Sequence, residues 1–149
     1  MQIIRIQDDK ALQEAFRIRI EVFVEEQQVP ADLEMDEYDE SPAAAQHVLL
    51  QIDGEPAAAG RFIAYKENTA KMQRIAVRRK FRGQAVGKNL MAALEEWASE
   101  QGFTYSLLDA QVQAEPFYQK LGYEAVSSET FLDAGIPHVR MKKNLLKSR

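Results

Sequence analysis

Residues 46–77 constrain the fold of this chain most strongly. Two apolar runs, QHVLLQI and PAAAGRFIAY, flank the dipeptide Asp53-Gly54, which favours the two-residue turn of a β-hairpin. A second turn at KENT leads into a third run, AKMQRIAV. The segment therefore predicts three successive antiparallel strands, and the rest of the chain has to pack around a sheet.

Helices are predicted on both sides of this segment. The run DDKALQEAFRIRIEVFVEEQ has apolar residues at helical spacing, with Asp8 or Asp9 as its cap and Pro30 as its end. GKNLMAALEEWASEQG is a second amphipathic helix, and AEPFYQKLG is a short third helix. Further strands are predicted at QIIRI, FTYSLLDA, YEAVSS and HVRMKKNL. This order predicts one α+β (mixed α/β) domain over residues 1–149, with a mostly antiparallel sheet flanked by helices.

The bulk properties of the chain exclude several classes of protein. With no cysteine among 149 residues, the chain has no thiolate metal site and no cysteine nucleophile. The start of the chain does not resemble a signal peptide, and no apolar run is long enough to span a membrane. A net charge of -4 argues against non-specific binding to nucleic acid. We expect a cytoplasmic protein without a metal, and a homodimer would follow the commonest symmetry of such proteins.

A basic loop, RRKFRGQAVGKNL, separates the third strand of the meander from the second helix. The first N–H groups of a helix have no partner within the helix, and they attract phosphate where small residues let it approach. Gly83, Ala85 and Gly87 are such residues. The spacing matches neither GxxxxGK[ST] nor GxGxxG. The loop therefore binds a phosphate-bearing ligand or is a solvated, charged turn.

Two motifs resemble those of the GNAT N-acetyltransferases. QRIAVRRKFRGQAVGKNLMAALEEWA is similar to the family's cofactor motif, Gln/Arg-x-x-Gly-x-Gly/Ala, with Ala85 in place of the first glycine. AEPFYQKLGY is similar to the family's C-terminal A-x-x-F-Y-x-x-x-G-F/Y helix, and Gln111 precedes it where the family often has Asn. EVFVEEQQVPADLEMDEYDE, followed by QHVLL, resembles the ElaA/YjcF-like branch. The resemblance extends over nearly the whole chain.

The resemblance implies a sheet of about six or seven strands, with acetyl-CoA as co-substrate in a V-shaped gap between two parallel central strands. Those strands are here RIAV and YSLLDA. Tyr118 corresponds to the tyrosine proposed as general acid for the leaving thiolate, and a backbone amide near Ile75 is suited to polarise the acetyl carbonyl. The cofactor contacts implied by the family are Ile75, Ala76, Val77, Arg82, Gly83, Gln84, Ala85, Val86, Gly87, Lys88 and Gln111.

The acceptor side of the reaction is less defined by the sequence. An amine has to lose a proton before it attacks, and Glu34, Asp36 and His47 are candidates for binding the substrate or accepting that proton. The alternative is that they belong to a solvated acidic loop and a structural histidine. We expect direct acetyl transfer to a primary amine of a small molecule or peptide. The alternatives are an acyl-CoA-binding sensor or regulatory module without turnover and a nucleic-acid binder that uses the basic loop.

Overall fold

The computed structural model describes residues 1–146, and one eight-stranded sheet runs through them. The strands are β1 (Gln2–Arg5), β2 (Gln46–Ile52), β3 (Glu55–Lys66), β4 (Thr69–Val77), β5 (Tyr105–Gln111), β6 (Glu124–Ala125), β7 (Phe131–Asp133) and β8 (Ile136–Asn144). Their order in the sheet is β1-β2-β3-β4-β5-β8-β6, and β7 also pairs with β8. Of these pairs, β4–β5 is parallel and the others are antiparallel. The predicted α+β class with a mostly antiparallel sheet is confirmed.

Helices cover both faces of this sheet. They are α1 (Asp9–Arg19), which continues as a π-helical segment (Ile20–Glu26), α2 (Ala31–Glu34), α3 (Val86–Glu100) and α4 (Glu115–Lys120). Successive residues of a strand point to opposite faces. On β2, Leu49 belongs to the core under α1, while Val48 and Leu50 belong to the core under α3. The sheet is therefore the middle layer between α1 and α3.

The turn and cap signals of the sequence appear in the structure. Asp53 and Gly54 form the turn between β2 and β3 with φ values of 51° and 80°. Asp8 caps α1, because its Oδ1 accepts a hydrogen bond from the N–H of Ala11 at 2.8 Å. Such a cap satisfies one of the amides that a helix start leaves without a partner.

The structure differs from the prediction in its first helix and in its last strands. The first helix changes from α to π geometry after Arg19, whereas the apolar spacing predicts a single helical run; its end at Glu26 lies one residue before the end of the predicted run. Of the predicted strand YEAVSS, Glu124–Ala125 forms β6, and the N–H of Val126 adds one hydrogen bond to the carbonyl of Arg140 at 2.9 Å. The sheet has eight strands rather than six or seven because Phe131–Asp133 form an additional strand. All three residues of this strand are exposed, so its sequence shows no alternation of buried and exposed positions.

Candidate active site

The two parallel strands separate part-way along their length. β4 and β5 pair from Thr69 with Tyr105 to Lys71 with Leu107. Beyond that point β4 stays paired with β3, and β5 stays paired with β8. The strands therefore diverge as a V, and a cavity of about 760 Å³ lies at the opening.

A β-bulge lies in the diverging part of β4. The register between β3 and β4 shifts between Ala59 and Arg61, and Arg74 has a positive φ of 56°. A Cβ on Gly60 would lie 2.9 Å from Cδ1 of Ile75 and 3.0 Å from Cδ1 of Leu94, so a glycine is needed for this close packing. Since a bulge leaves one residue out of the ladder, backbone groups next to Ile75 are available at the cavity.

The basic loop forms the next part of the cavity wall. Ala85 is the N-cap of α3 in the left-handed conformation, with φ 63°, and no side chain caps this helix. The first amides of α3 therefore keep their capacity to bind an anion. The predicted cofactor contacts that line the cavity are Ile75, Val77, Arg82, Gly83, Ala85, Val86, Gly87, Lys88 and Gln111.

Two of the predicted cofactor contacts do not line the cavity. The side chain of Ala76 is buried in the core under α1, so only its backbone is suited to the assigned role. Gln84 is exposed, and its Nε2 donates to the carbonyl of Lys80 at 3.5 Å.

Carboxylates neutralise most of the positive charge of the loop. Arg78 binds Glu21 and Glu55 at 3.1 and 3.0 Å, and Lys80 also binds Glu55, at 2.9 Å. Glu26 lies 2.9 Å from the guanidinium of Arg82 and 3.6 Å from that of Arg79.

Lys88 differs from the other four cations of the loop. Across residues 1–146 no carboxylate lies within ion-pair distance of its ammonium. Lys88 lies in the first turn of α3 and lines the cavity. Its charge is therefore available to an anionic ligand at this helix terminus.

Tyr118 lies on α4 and faces the same cavity. Its ring is buried and packs edge-on against Phe117 and Tyr123, with ring centroids 5.0 and 5.8 Å away. Burial raises the pKa of the Tyr118 phenol to about 12, so the group keeps its proton at neutral pH. Phe117 also connects α4 to the loop, because a Cβ on Gly87 would lie 3.2 Å from its Cζ.

Gln111 joins two walls of the cavity. Its Nε2 donates to Oε1 of Gln27 at 2.8 Å, and both residues line the cavity. Gln27 directly follows the π-helical segment, so the pair connects this segment to the end of β5. The sequence analysis did not identify Gln27, because nothing in the local pattern places it opposite β5.

The structure brings only one of the three acceptor-side candidates to the cavity. Glu34 lines it. The carboxylate of Asp36 is instead held by Arg61, with bonds of 2.6 and 2.8 Å. His47 is buried and donates from Nε2 to the carbonyl of Tyr38 at 2.8 Å, and burial lowers its pKa. Neither Asp36 nor His47 lines the cavity.

Beside the cavity lies a buried ion cluster that the sequence analysis did not identify. Its members are Arg19, Glu34, Asp36, Asp39, Arg61 and Arg74. Arg19 and Arg61 are 1% and 0% exposed, and both bind Asp39, at 2.6 and 2.7 Å. One feature of the sequence could have indicated this cluster: Arg61 lies within the apolar run AAAGRFIA, and a charged residue in a buried strand needs charged partners. Within the described residues, no group of three or more His, Cys, Asp or Glu side chains could hold a metal ion.

Comparison with known proteins assigns this fold, with its gap between β4 and β5, to the acyltransferases that use an acyl-CoA donor. The sequence profile of the acetyltransferase (GNAT) domain matches residues 7–145, and the chain belongs to this family. It is 40% identical to the uncharacterised N-acetyltransferase YjcF of Bacillus subtilis over 144 residues, which are 97% of this chain and all of YjcF.

Solved structures agree with the family assignment. A protein from Lactobacillus plantarum, described as a candidate N-acetyltransferase, is 29% identical and superposes with a TM-score of 0.87 over 97% of both chains. Escherichia coli ElaA is 26% identical, with a TM-score of 0.82 over 96% of this chain and 97% of its own. The resemblance to the ElaA/YjcF-like branch is thus confirmed. No helix in residues 1–146 is both long and apolar enough to cross a membrane.

Proposed function

We propose that the chain transfers an acetyl group from acetyl-CoA to a primary amine by direct attack in a ternary complex. One observation carries this proposal: a single cavity contacts the basic loop, the bulged part of β4, Tyr118 and Glu34. It therefore has room for a donor along the loop and strand and for an acceptor beside α2. The acceptor is a small molecule or a peptide amine.

The residues along the gap fit the parts of acetyl-CoA. The amide of Arg82 donates to the carbonyl of Arg79 at 3.2 Å. The amides of residues 83–87 at the α3 N-terminus, with the charges of Arg82 and Lys88, would therefore hold the pyrophosphate. The edge of β4 that does not pair with β5 would bind the amide groups of the pantetheine arm as a neighbouring strand does. Gln111 offers a further amide at the end of β5.

Bound acetyl-CoA would supply a thioester whose carbonyl carbon is open to attack by the acceptor nitrogen. The backbone amide near Ile75 would stabilise the negative charge that develops on the carbonyl oxygen. As the carbon–nitrogen bond forms and the carbon–sulfur bond breaks, the O–H of Tyr118 would give its proton to the sulfur. The proton released by the nitrogen then restores the phenol, so the step needs no further reactant.

Calorimetric titration with acetyl-CoA, 3′-dephospho-acetyl-CoA and ATP tests the donor site. We expect both acetyl-CoA forms to bind in the micromolar range and ATP to bind much more weakly. An assay for free CoA thiol over a panel of small-molecule and peptide amines then tests turnover. Binding without thiol release would favour the sensor or regulatory module, and no binding would remove the loop assignment.

The cytoplasmic location and the homodimer remain predictions. Light scattering coupled to gel filtration measures the mass of the assembly, and a mass of about twice the 17.0 kDa chain would support the dimer.

A further inference from the structure

One oxygen of Glu34 lacks a partner although the side chain is buried. Glu34 is 2% exposed. Its Oε1 accepts a hydrogen bond from Nε of Arg19 at 2.8 Å and lies 3.5 Å from Nε of Arg74. Its Oε2 is the one buried side-chain nitrogen or oxygen in residues 1–146 that has no hydrogen-bond partner. A buried carboxylate oxygen without a hydrogen-bond donor is unfavourable. A ligand that donates a hydrogen bond to Oε2 would remove this cost.

Glu34 is joined to the bulge of β4 by the side chain of Arg74. Nε of Arg74 donates to the backbone carbonyl of Glu34 at 3.0 Å, and Arg74 is the bulge residue that directly precedes Ile75. The end of α2 is therefore fixed to the bulge by a hydrogen bond. An acceptor nitrogen bound at Glu34 would therefore lie within one arginine side chain of the backbone that would hold the acetyl carbonyl.

The charges around Glu34 favour a neutral donor group over a strongly held cation. Three arginines of the buried ion cluster, Arg19, Arg61 and Arg74, face three carboxylates, Glu34, Asp36 and Asp39. The formal charge of the cluster is therefore compensated. Such a carboxylate can accept a hydrogen bond from an amine but stabilises an ammonium ion less than an isolated carboxylate would. This suits a nitrogen that has to be neutral when it attacks.

We propose that Oε2 of Glu34 binds the acceptor by accepting a hydrogen bond from its nitrogen, and that the acceptor is a primary amine on an apolar carbon skeleton. This inference rests on the proposed function. The apolar part would contact the cavity residues Phe23, Val29, Leu33 and Ile136. Oε2 is buried in the structure, so the acceptor would reach it by rotation of the carboxylate about its terminal torsion, which is broad in glutamate.

Glu34→Gln tests the hydrogen bond with little change in shape. In this variant the amide oxygen takes the place of Oε1 and accepts the hydrogen bond from Arg19. The NH₂ group takes the place of Oε2, and it offers only donors where the N–H of the acceptor amine needs an oxygen that accepts. With saturating acetyl-CoA and 2-phenylethylamine as the acceptor, we expect KM for the amine to rise about tenfold or more. The Kd of acetyl-CoA should stay within about twofold.

Asp39→Asn is the matched control. Asp39 belongs to the same cluster but does not line the cavity, so this variant loosens the cluster without changing the proposed acceptor contact. KM does not depend on the fraction of folded enzyme, which makes the comparison valid for a destabilised variant. An equal rise of KM in both variants, or no rise in Glu34→Gln, would overturn the proposal.

Leu33 provides a second test that does not disturb the buried cluster. Leu33 is 55% exposed and lines the cavity next to Glu34. Leu33→Lys adds a tethered ammonium that competes for Oε2, whereas Leu33→Gln changes length and polarity without that charge. We expect Leu33→Lys to raise the KM for 2-phenylethylamine more than Leu33→Gln does. Equal effects would contradict the proposal.

Failure of this inference can be told from failure of the proposed function. If spermidine or glycine is acetylated and 2-phenylethylamine is not, the acetyltransferase proposal holds and the apolar acceptor is wrong. If acetyl-CoA binds but no amine releases CoA, the proposed function fails. Calorimetry of 2-phenylethylamine with the CoA-saturated protein then decides: binding that Glu34→Gln weakens supports the acceptor site, and absence of binding overturns it.

Discussion

At the scale of single residues, Ala85 combines an unfavourable conformation with a key position. It caps α3 with φ 63°, a region where glycine has no steric penalty and alanine does. We expect Ala85→Gly to raise the free energy of unfolding by about 0.5 to 1 kcal/mol, measured by urea unfolding. The affinity for acetyl-CoA should hold or improve, because the loop keeps its shape.

Ala92 supplies the matched control for Ala85. It is exposed in the middle of α3, where Ala92→Gly should lower the free energy of unfolding by about 1 kcal/mol. Replacing alanine by glycine is therefore expected to raise the free energy of unfolding at position 85 and to lower it at position 92. A loss of both stability and acetyl-CoA affinity in Ala85→Gly would mean that the alanine methyl makes a necessary contact.

Tyr118 is the residue on which the proposed proton transfer depends. If it protonates the leaving sulfur, Tyr118→Phe should lower kcat by about a hundredfold or more and leave the Kd of acetyl-CoA nearly unchanged. Stopped-flow thiol detection measures the first quantity and calorimetry the second. Tyr105→Phe is a control, since Tyr105 lies where β4 and β5 still pair and should leave kcat unchanged.

The pH dependence of the wild-type enzyme gives a second check on Tyr118. Because its pKa is raised to about 12, the phenol stays protonated across the usual assay range. The rate should therefore rise as the acceptor amine loses its proton and should not fall again between about pH 7 and about pH 10. A fall near the ordinary pKa of tyrosine would contradict the raised pKa of Tyr118, since a general acid stops working when it loses its proton.

At the scale of elements, the π-helical segment controls the charge of the basic loop. Its Glu26 lies 2.9 Å from the guanidinium of Arg82 and would compete with a pyrophosphate for it. We expect Glu26→Gln to increase the affinity for acetyl-CoA by about two- to fivefold at low salt, and less at high salt. Calorimetry at two salt concentrations measures this.

Glu55→Gln is the control for Glu26→Gln because it also removes one carboxylate from the basic loop. Glu55 binds Arg78 and Lys80, neither of which lines the cavity. Its removal should change the affinity less than the removal of Glu26. Equal effects of the two substitutions would show that the affinity for acetyl-CoA depends on the net charge of the loop and not on the release of Arg82 from Glu26.

The sequence predicted some elements well and others poorly, for physical reasons. The meander and α3 have strong local signals: Asp53-Gly54 requires a turn, and the apolar face of α3 repeats with helical period. Apolar spacing does not separate α from π geometry, so the change after Arg19 was not foreseen. All three residues of Phe131–Asp133 are exposed, and a strand without a buried face shows no alternation of apolar and polar residues in its sequence.

At the scale of the whole molecule, the buried ion cluster connects segments that are far apart in the chain. Arg19 comes from α1, Glu34 from α2 and Arg61 from β3. Each is an ordinary charged residue in its own local pattern, and only the tertiary fold brings them together. For this reason the loop residues that line the cavity were predicted from the sequence motif, whereas the partners that surround Glu34 were not.

The same cluster should make stability depend on pH in the acid range. Burial alone would raise the pKa of Asp39, but the hydrogen bonds and charge of Arg19 outweigh burial and hold this pKa well below its ordinary value of 3.8. In the unfolded chain the carboxyl keeps its ordinary pKa. As the pH falls through about 4, the unfolded state therefore binds a proton that the folded state does not, and stability is lost.

Asp39→Asn should remove part of this acid dependence. We expect the free energy of unfolding, measured with urea, to fall less steeply between about pH 5 and about pH 3 than in the wild type. At pH 7 the variant should be less stable by about 3 kcal/mol, because Arg19 and Arg61 lose a buried counter-charge. Asp53→Asn, in the exposed turn between β2 and β3, should keep the wild-type slope. A wild-type slope in Asp39→Asn would place the acid sensitivity on other carboxylates.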